Sequence, residues 1–251
     1  MRLVNEKLAA DLLEMGKKEF LLCGFQGANL RSIAASMGVT TGAIYRYYTD
    51  KAELFGALVE KPAAELLERY REIQKSFSQL PLEQQLSGLP EISDNGQIWM
   101  MKHVYDNFDA FKLIICCSSG TRYEHYIDEL VEIEANASHA LIDRMNESGY
   151  KLRPIDDELI HIVSSALFNG MFETVRHDMP RDKAFAHMDG LREFYSAVVF
   201  DIIGSKGHDR NPQTFLKHPR IHGFPLLRGH IHHVQQQQGR RPNPRKIRQH
   251  K

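Results

Sequence analysis

Between Leu30 and Tyr48, an alanine, a glycine and an isoleucine stand at positions 34, 38 and 44 of the 251-residue chain. This spacing constrains the fold more than any other feature of the sequence. Two short helices that cross steeply need a small residue where they touch, a glycine at the turn, and a branched apolar group on the second helix to close the core. Asn29 caps the first helix through its side-chain oxygen, and Leu30, Ile33, Ala34 and Met37 form its inner face. Gly38 and Val39 break it, and Thr40 to Tyr47 form the second. The unit reads as a helix-turn-helix, in which the second helix enters the major groove of a duplex.

The flanking segments are helical too. Leu8, Leu12, Met15, Phe20 and Leu22 recur at helical spacing over 6–23, and Gly24 supplies the left-handed stop. Asp50 followed by Glu53 is a capping-box pattern that opens a helix running to Phe77. Pro62 interrupts or kinks that helix, because it lacks the N–H that bonds back one turn. The stretch LPLEQQLSGLPEISDNG (80–96) reads as a loop-rich break, followed by helices over 97–108, 109–117, 123–148, 156–178 and 182–203. No alternating strand pattern of useful length is present, so the predicted fold class is all-α. Three parts are expected: an N-terminal DNA-binding unit over 1–55, a larger helical body over 56–203, and a basic tail over 204–251.

Charge separates the tail from the rest. Eleven of the 32 basic residues and one of the 32 acidic residues lie from Gly204 onward, so the body is near −10 and the tail near +10. Leu, Ile, Val and Phe make up nine of the 48 tail residues, too few to offset chain entropy, and disorder is the expected state. Such a tail is either without function, a sequence-independent attraction to DNA, or an extension foreign to the fold. The HIHH stretch at 230–233 is a weak metal signal. Cys23, Cys116 and Cys117 are too few and too unevenly spaced for a disulfide framework, and read as reduced thiols packed like small apolar groups. No paired spacing supports a metal site, and no cofactor is expected. The N-terminus is amphipathic rather than a charged flank followed by an apolar block, and no apolar run has membrane-spanning length. A cytoplasmic chain is therefore expected, with no membrane partner.

The segment NLRSIAASMGVTTGAIYRYYTDKAELF resembles the DNA-binding segment of the TetR family of one-component transcriptional regulators, over roughly residues 10–58. The glycines, the aromatics and the cap agree in register with that family's pattern. Carried over residue by residue, the resemblance implies that Thr40 opens the recognition helix and that Thr41 and Gly42 face DNA, the glycine permitting close backbone approach. Ala43 is left to touch a thymine methyl, and Arg46 is the candidate for a guanine or phosphate contact. Tyr45 and Tyr47 donate to phosphates, and Lys51 adds charge in the first turn of the next helix. Ile44 and Tyr48, four apart, point into the small core. One helical face cannot bury Tyr45, Arg46, Tyr47 and Tyr48 together, which argues against the cluster being core alone.

For the body, the resemblance implies a ligand-binding and dimerisation domain. Trp99, Met100, His103, Phe108, Phe111, Cys116, Tyr123 and Tyr126 are the candidate pocket residues, each also explicable as ordinary core. The candidate dimer interface takes Ser164, Leu167, Phe168 and Met171 with Val175 from one helix, and Phe194, Tyr195 and Val198 from the last. The implied function is a sequence-specific regulator, a repressor released from a near-palindromic operator by a small-molecule effector, working as a homodimer. The competing reading is a protein of the same fold that acts through protein contacts or as an activator. No nucleophile–base spacing, phosphate loop or carboxylate pair points to an enzyme.

Overall fold

In a computed structural model of the chain, the structure describes residues 6–203 apart from 151 and 153, with the backbone alone for 90–94 and 196–203. The tail over 204–251, with its HIHH stretch, lies outside the described residues. Helices account for the fold, and no strand occurs among the described residues. They are α1 (Glu6–Gly27), α2 (Leu30–Ser36), α3 (Thr41–Ile44), α4 (Lys51–Ser78), α5 (Leu82–Asp106), α6 (Phe108–Cys117), α7 (Tyr126–Glu147), α8 (Asp157–Arg176) and α9 (Arg181–Ile203).

The signals for helix ends act as their chemistry dictates. Gly24 takes φ 68° and ψ 171°, breaking α1 where a left-handed residue was expected, and the chain then adds one further turn to Gly27. Asp50 caps α4 by accepting from the Glu53 amide at 2.8 Å. Glu53 reaches back one residue further than the usual box, accepting from the Thr49 amide at 2.6 Å and its hydroxyl at 2.7 Å. Asp156 caps α8 through the Leu159 amide in the same way.

One expectation is corrected and another is narrowed. The segment 80–96 is not a loop-rich break but the first part of α5. Pro81 stands at its N-cap, and Gln85 Nε2 donates to the Phe77 carbonyl at 2.6 Å, closing the turn from α4. Arg144 of α7 donates to the Ser78 carbonyl at 2.7 Å, to Leu80 at 3.1 Å and to Gln85 Oε1 at 2.9 Å. These ties anchor a segment whose glycines and prolines argue against helix locally, so tertiary contacts override propensity. Of the two outcomes expected at Pro62, an interruption does not occur, since α4 is continuous over 28 residues.

The core runs without a break from Leu12 in α1 to Met188 in α9. The expected boundary at residue 55 falls inside α4, which packs on α1 at one end and on α5, α6 and α7 further along. At the α1 end, Phe20 and Phe25 meet Phe55 edge-on at 5.0 and 5.6 Å. In the body, Phe111 packs against Tyr126 and Phe172 at 6.2 and 6.3 Å. No helix among the described residues is long and apolar enough to cross a membrane.

Candidate nucleic-acid interface

The turn between α2 and α3 is built from backbone alone. The Val39 amide donates to the Ala34 carbonyl at 3.0 Å and the Gly38 amide to Ala35 at 3.2 Å, with Gly38 at φ 66°. At that angle a Cβ strains the chain even where space is open. Ala34 is buried at the crossing and Ile44 is fully buried beneath it, as their spacing requires. At the start of α2, Asn29 Oδ1 accepts from the Arg31 amide at 2.8 Å. The second helix is shorter than the predicted 40–47. It is regular only over Thr41–Ile44 and continues as turns, with the Tyr47 and Tyr48 amides both donating to the Ile44 carbonyl.

The residues predicted to face DNA divide into three groups. Thr40, Gly42, Tyr45 and Arg46 are exposed, Tyr45 by 55%. Thr40 makes no capping bond with its side chain, and a Cβ built on Gly42 meets nothing closer than Thr40 Oγ1 at 3.8 Å. Thr41, Ala43 and Tyr47 are half-buried, and Tyr47 packs partly on the core. Tyr48 also packs there, and burial, with a smaller contribution from the Glu53 charge, pushes its phenol above the usual range. Lys51 stands apart. Its ammonium donates to the carbonyls of Phe25, Gln26 and Ala28 at 2.7, 3.1 and 3.3 Å, and lies 4.5 Å from the centre of the Phe25 ring. A lysine with three carbonyl acceptors ties α4 to the end of α1.

Contacts between α1, α4 and α6 hold this unit on the body. Gly16 lets α1 close on α4, since a Cβ there would sit 3.0 Å from Leu54 Cδ2. Lys17 pairs with Asp109 of α6 at 2.8 Å, and Arg122 pairs with Glu60 of α4 at 2.6 Å while donating to the Tyr123 hydroxyl at 2.7 Å.

A cavity of about 110 Å³ opens between α4, α5, α7, α8 and α9. Of the predicted pocket residues, only Met100 lines it. Phe111, Tyr123 and Tyr126 are buried in the core, and Trp99 stacks on His103 at 5.3 Å. His103 Nε2 in turn donates to the Pro62 carbonyl at 2.9 Å. Phe108 is half-buried against Tyr105, and Cys116 is exposed on α6. The reason is local: α6 is itself the packing layer between α1 and α8, and the ring-rich end of α5 packs on α4, α6 and α9. Cys117 is buried as expected of a small apolar group, but Cys23 and Cys116 are not.

The polar end of the cavity escaped sequence reasoning. Glu134 Oε2 accepts from the Tyr70 hydroxyl and from Gln74 Nε2, the latter at 2.7 Å. Burial raises the Glu134 carboxyl above the usual range, against the two bonds that favour its ionised form. Burial also raises the Tyr70 phenol, and the Glu134 charge adds to that. A signal was available: Leu130, Glu134, Ala137, Leu141 and Met145 follow a helical stripe, with one carboxylate where the period calls for an apolar residue.

The predicted dimer residues also need correction. Ser164, Phe168, Met171 and Val175 are buried within the protomer, because that face of α8 packs on α6 and α7. Leu167 is half-buried and lines the cavity. Phe194 is 65% exposed and Tyr195 half-buried, while the side chain of Val198 lies outside the described residues. The large apolar groups that α8 does present to solvent are Leu159 and Ile162, the latter 61% exposed.

Comparison with known proteins places the likeness in the same N-terminal segment. The family described as bacterial regulatory proteins, tetR family, matches residues 12–58. The HTH-type transcriptional regulator Rv1816 of Mycobacterium tuberculosis is 34% identical over 55 residues, 22% of this chain and 24% of that protein. The HTH-type transcriptional repressor AcnR of Corynebacterium diphtheriae is 34% identical over 58 residues, 23% of this chain and 30% of that one. The match thus spans less than a third of the length of these curated relatives. Among solved structures, the fatty acid degradation regulator FadR from Bacillus halodurans aligns over 74% of this chain and 97% of its own, at 17% identity and a TM-score of 0.45. The likeness to the tetR family of bacterial regulatory proteins is thus carried by residues 12–58.

Proposed function

We propose that the chain is a sequence-specific DNA-binding transcriptional regulator, acting in the cytoplasm as a homodimeric repressor that a small-molecule effector releases from a near-palindromic operator. The observation that carries this reading is the set of Thr40, Gly42, Tyr45 and Arg46, exposed on a turn of helix whose Ile44 is fully buried. That arrangement leaves a hydroxyl, a phenol and a guanidinium free to donate to phosphates and base edges while the backbone behind them stays fixed. The name of the Corynebacterium relative favours repression. Pairing is favoured by Leu159, Ile162 and Phe194, large apolar groups that α8 and α9 leave in water. Two recognition units related by a two-fold axis read two half-sites and multiply the discrimination of one. The cavity beside α4 supplies a place for an effector.

The test is selection of bound sequences from random duplex DNA by the full chain. Enrichment of a two-fold symmetric site is expected, with Arg46→Ala relaxing preference at one position in each half. Recovery of no sequence above background would remove the reading.

A further inference from the structure

The cavity has a chemical polarity that names a class of guest. Its walls are apolar side chains such as Leu141, Phe168 and Met188, and its polar lining is Tyr70, Gln74, Gln97, Glu134 and Ser138, of which Tyr70 and Gln74 bond to Glu134. No lysine, arginine or histidine lines it among the described residues, so nothing in the wall neutralises a negative charge. Both donors from the protein, Tyr70 and Gln74, fall on Oε2, which leaves Oε1 as an acceptor for a guest. An ionised carboxylate in an apolar site is unfavourable until a cation pairs with it. The raised carboxyl of Glu134 is the same fact seen without a guest. Size restricts the guest further: a dry cavity of about 150 Å³ takes a benzene ring, and this one is about 110 Å³.

We propose that this cavity binds a small organic ammonium, a primary or secondary amine on a compact apolar body, with its nitrogen at the Glu134 carboxylate. The regulatory meaning of such a ligand rests on the effector reading above, while its binding does not. An anion is repelled by Glu134, and a neutral alcohol gains a single uncharged hydrogen bond in its place. A charge-assisted bond is roughly twice as strong as a neutral one, which sets a preference of roughly tenfold for amine over alcohol.

The experiment is calorimetric titration of the full chain with isobutylamine, isobutanol and isobutyrate, each smaller than a benzene ring, at neutral pH. Isobutylamine is expected to bind roughly tenfold more tightly than isobutanol, with isobutyrate giving no heat. Glu134→Gln keeps the shape and removes the charge, and it should bring the amine down to the alcohol's affinity, with a urea midpoint no lower than wild type. Ser138→Leu fills the cavity and should abolish binding of both. Equal affinities for amine and alcohol, binding of isobutyrate, an amine preference that survives Glu134→Gln, amine binding unchanged by Ser138→Leu, or no heat with any probe would each overturn the proposal. Operator DNA gives a separate readout. Amine binding that leaves operator affinity unchanged upholds the ligand class and removes only the effector reading.

Discussion

Replacing Lys51 by methionine keeps the stem and removes the ammonium that holds the end of α1. Three carbonyls lose a charged donor at 2.7, 3.1 and 3.3 Å, and the Phe25 ring loses a cation 4.5 Å from its centre. A hydrogen bond to a charged group contributes about 1.5–3 kcal/mol. The three bonds share one ammonium, and the bond to the Gln26 carbonyl is exposed to water, so the set falls well short of three times that figure. With the ring contact included, the loss is about 3 kcal/mol. At about 2–4 °C per kcal/mol for a chain of this size, the variant melts about 6–12 °C lower. Thermal unfolding followed by circular dichroism measures this directly. The discriminating assay is the salt dependence of operator binding, since each phosphate contact contributes about 0.9 to the slope of log affinity against log salt. Lys51→Met should leave the slope unchanged, whereas Arg46→Met should lower it by about 0.9 if Arg46 takes a phosphate. A Lys51→Met protein as stable as wild type, with a slope lower by one phosphate, would refute the structural role and point to a phosphate contact instead.

Gly38→Ala should cost about 1–2 kcal/mol, because the left-handed backbone at φ 66° strains any Cβ even though none would meet a neighbour; urea unfolding in which Gly38→Asn costs more than Gly38→Ala would point to a contact instead. Glu53→Gln tests the cap at α4: hydrogen bonds from the Thr49 amide and then its hydroxyl hold the Glu53 carboxyl below the usual range. The stability advantage of wild type is therefore full above the ordinary glutamate range and closes as pH falls through the lowered value. A gap between the two urea midpoints that widens toward acid would contradict the sign.

The helix-turn-helix was legible because its determinants are local. Ala34, Gly38, Ile44 and the Asn29 and Asp50 caps lie within about one turn of what they control, and each does in the fold what its chemistry predicts. What sequence left open depends on partners distant along the chain. The charge of Lys51 is visible in sequence, but its acceptors are backbone carbonyls 23–26 residues earlier. Leu82–Gly96 carries glycines and a proline that argue for a loop, and Arg144, some sixty residues on, is part of what holds its start as helix. The stripe on α8 was read correctly as apolar, but periodicity cannot tell whether its own bundle or a second copy covers it. The rings between Trp99 and Tyr126 likewise signal packing, and in this fold they pack against one another rather than around a space. Glu134 was the readable exception, a single acid in an apolar stripe.

The continuity of α4 changes how the cavity and the recognition unit can be coupled. Sequence suggested a helix that bends at Pro62, where the missing N–H leaves the Leu58 carbonyl without its intrahelical donor. The carbonyls on the other side of that point are instead gripped from the body. His103 of α5 donates to Pro62 and Tyr126 of α7 to Ala63, each at 2.9 Å. A helix clamped at its weak point turns about the clamp more readily than it bends there. At 1.5 Å per residue, Lys51 lies about 17 Å on one side of Pro62 and Gln74 about 18 Å on the other, so the two arms are nearly equal. A guest that displaces the α4 wall at Gln74 by about 1 Å therefore moves the Lys51 end by about 0.9 Å in the opposite sense, if α4 turns as a rigid rod. Because the Lys51 ammonium holds the end of α1, that movement reaches the helix-turn-helix as a shift of its frame rather than a change within it. The internal geometry of Ala34, Gly38 and Ile44 is left intact, so in the proposed dimer the quantity that changes is where one recognition unit sits relative to the other.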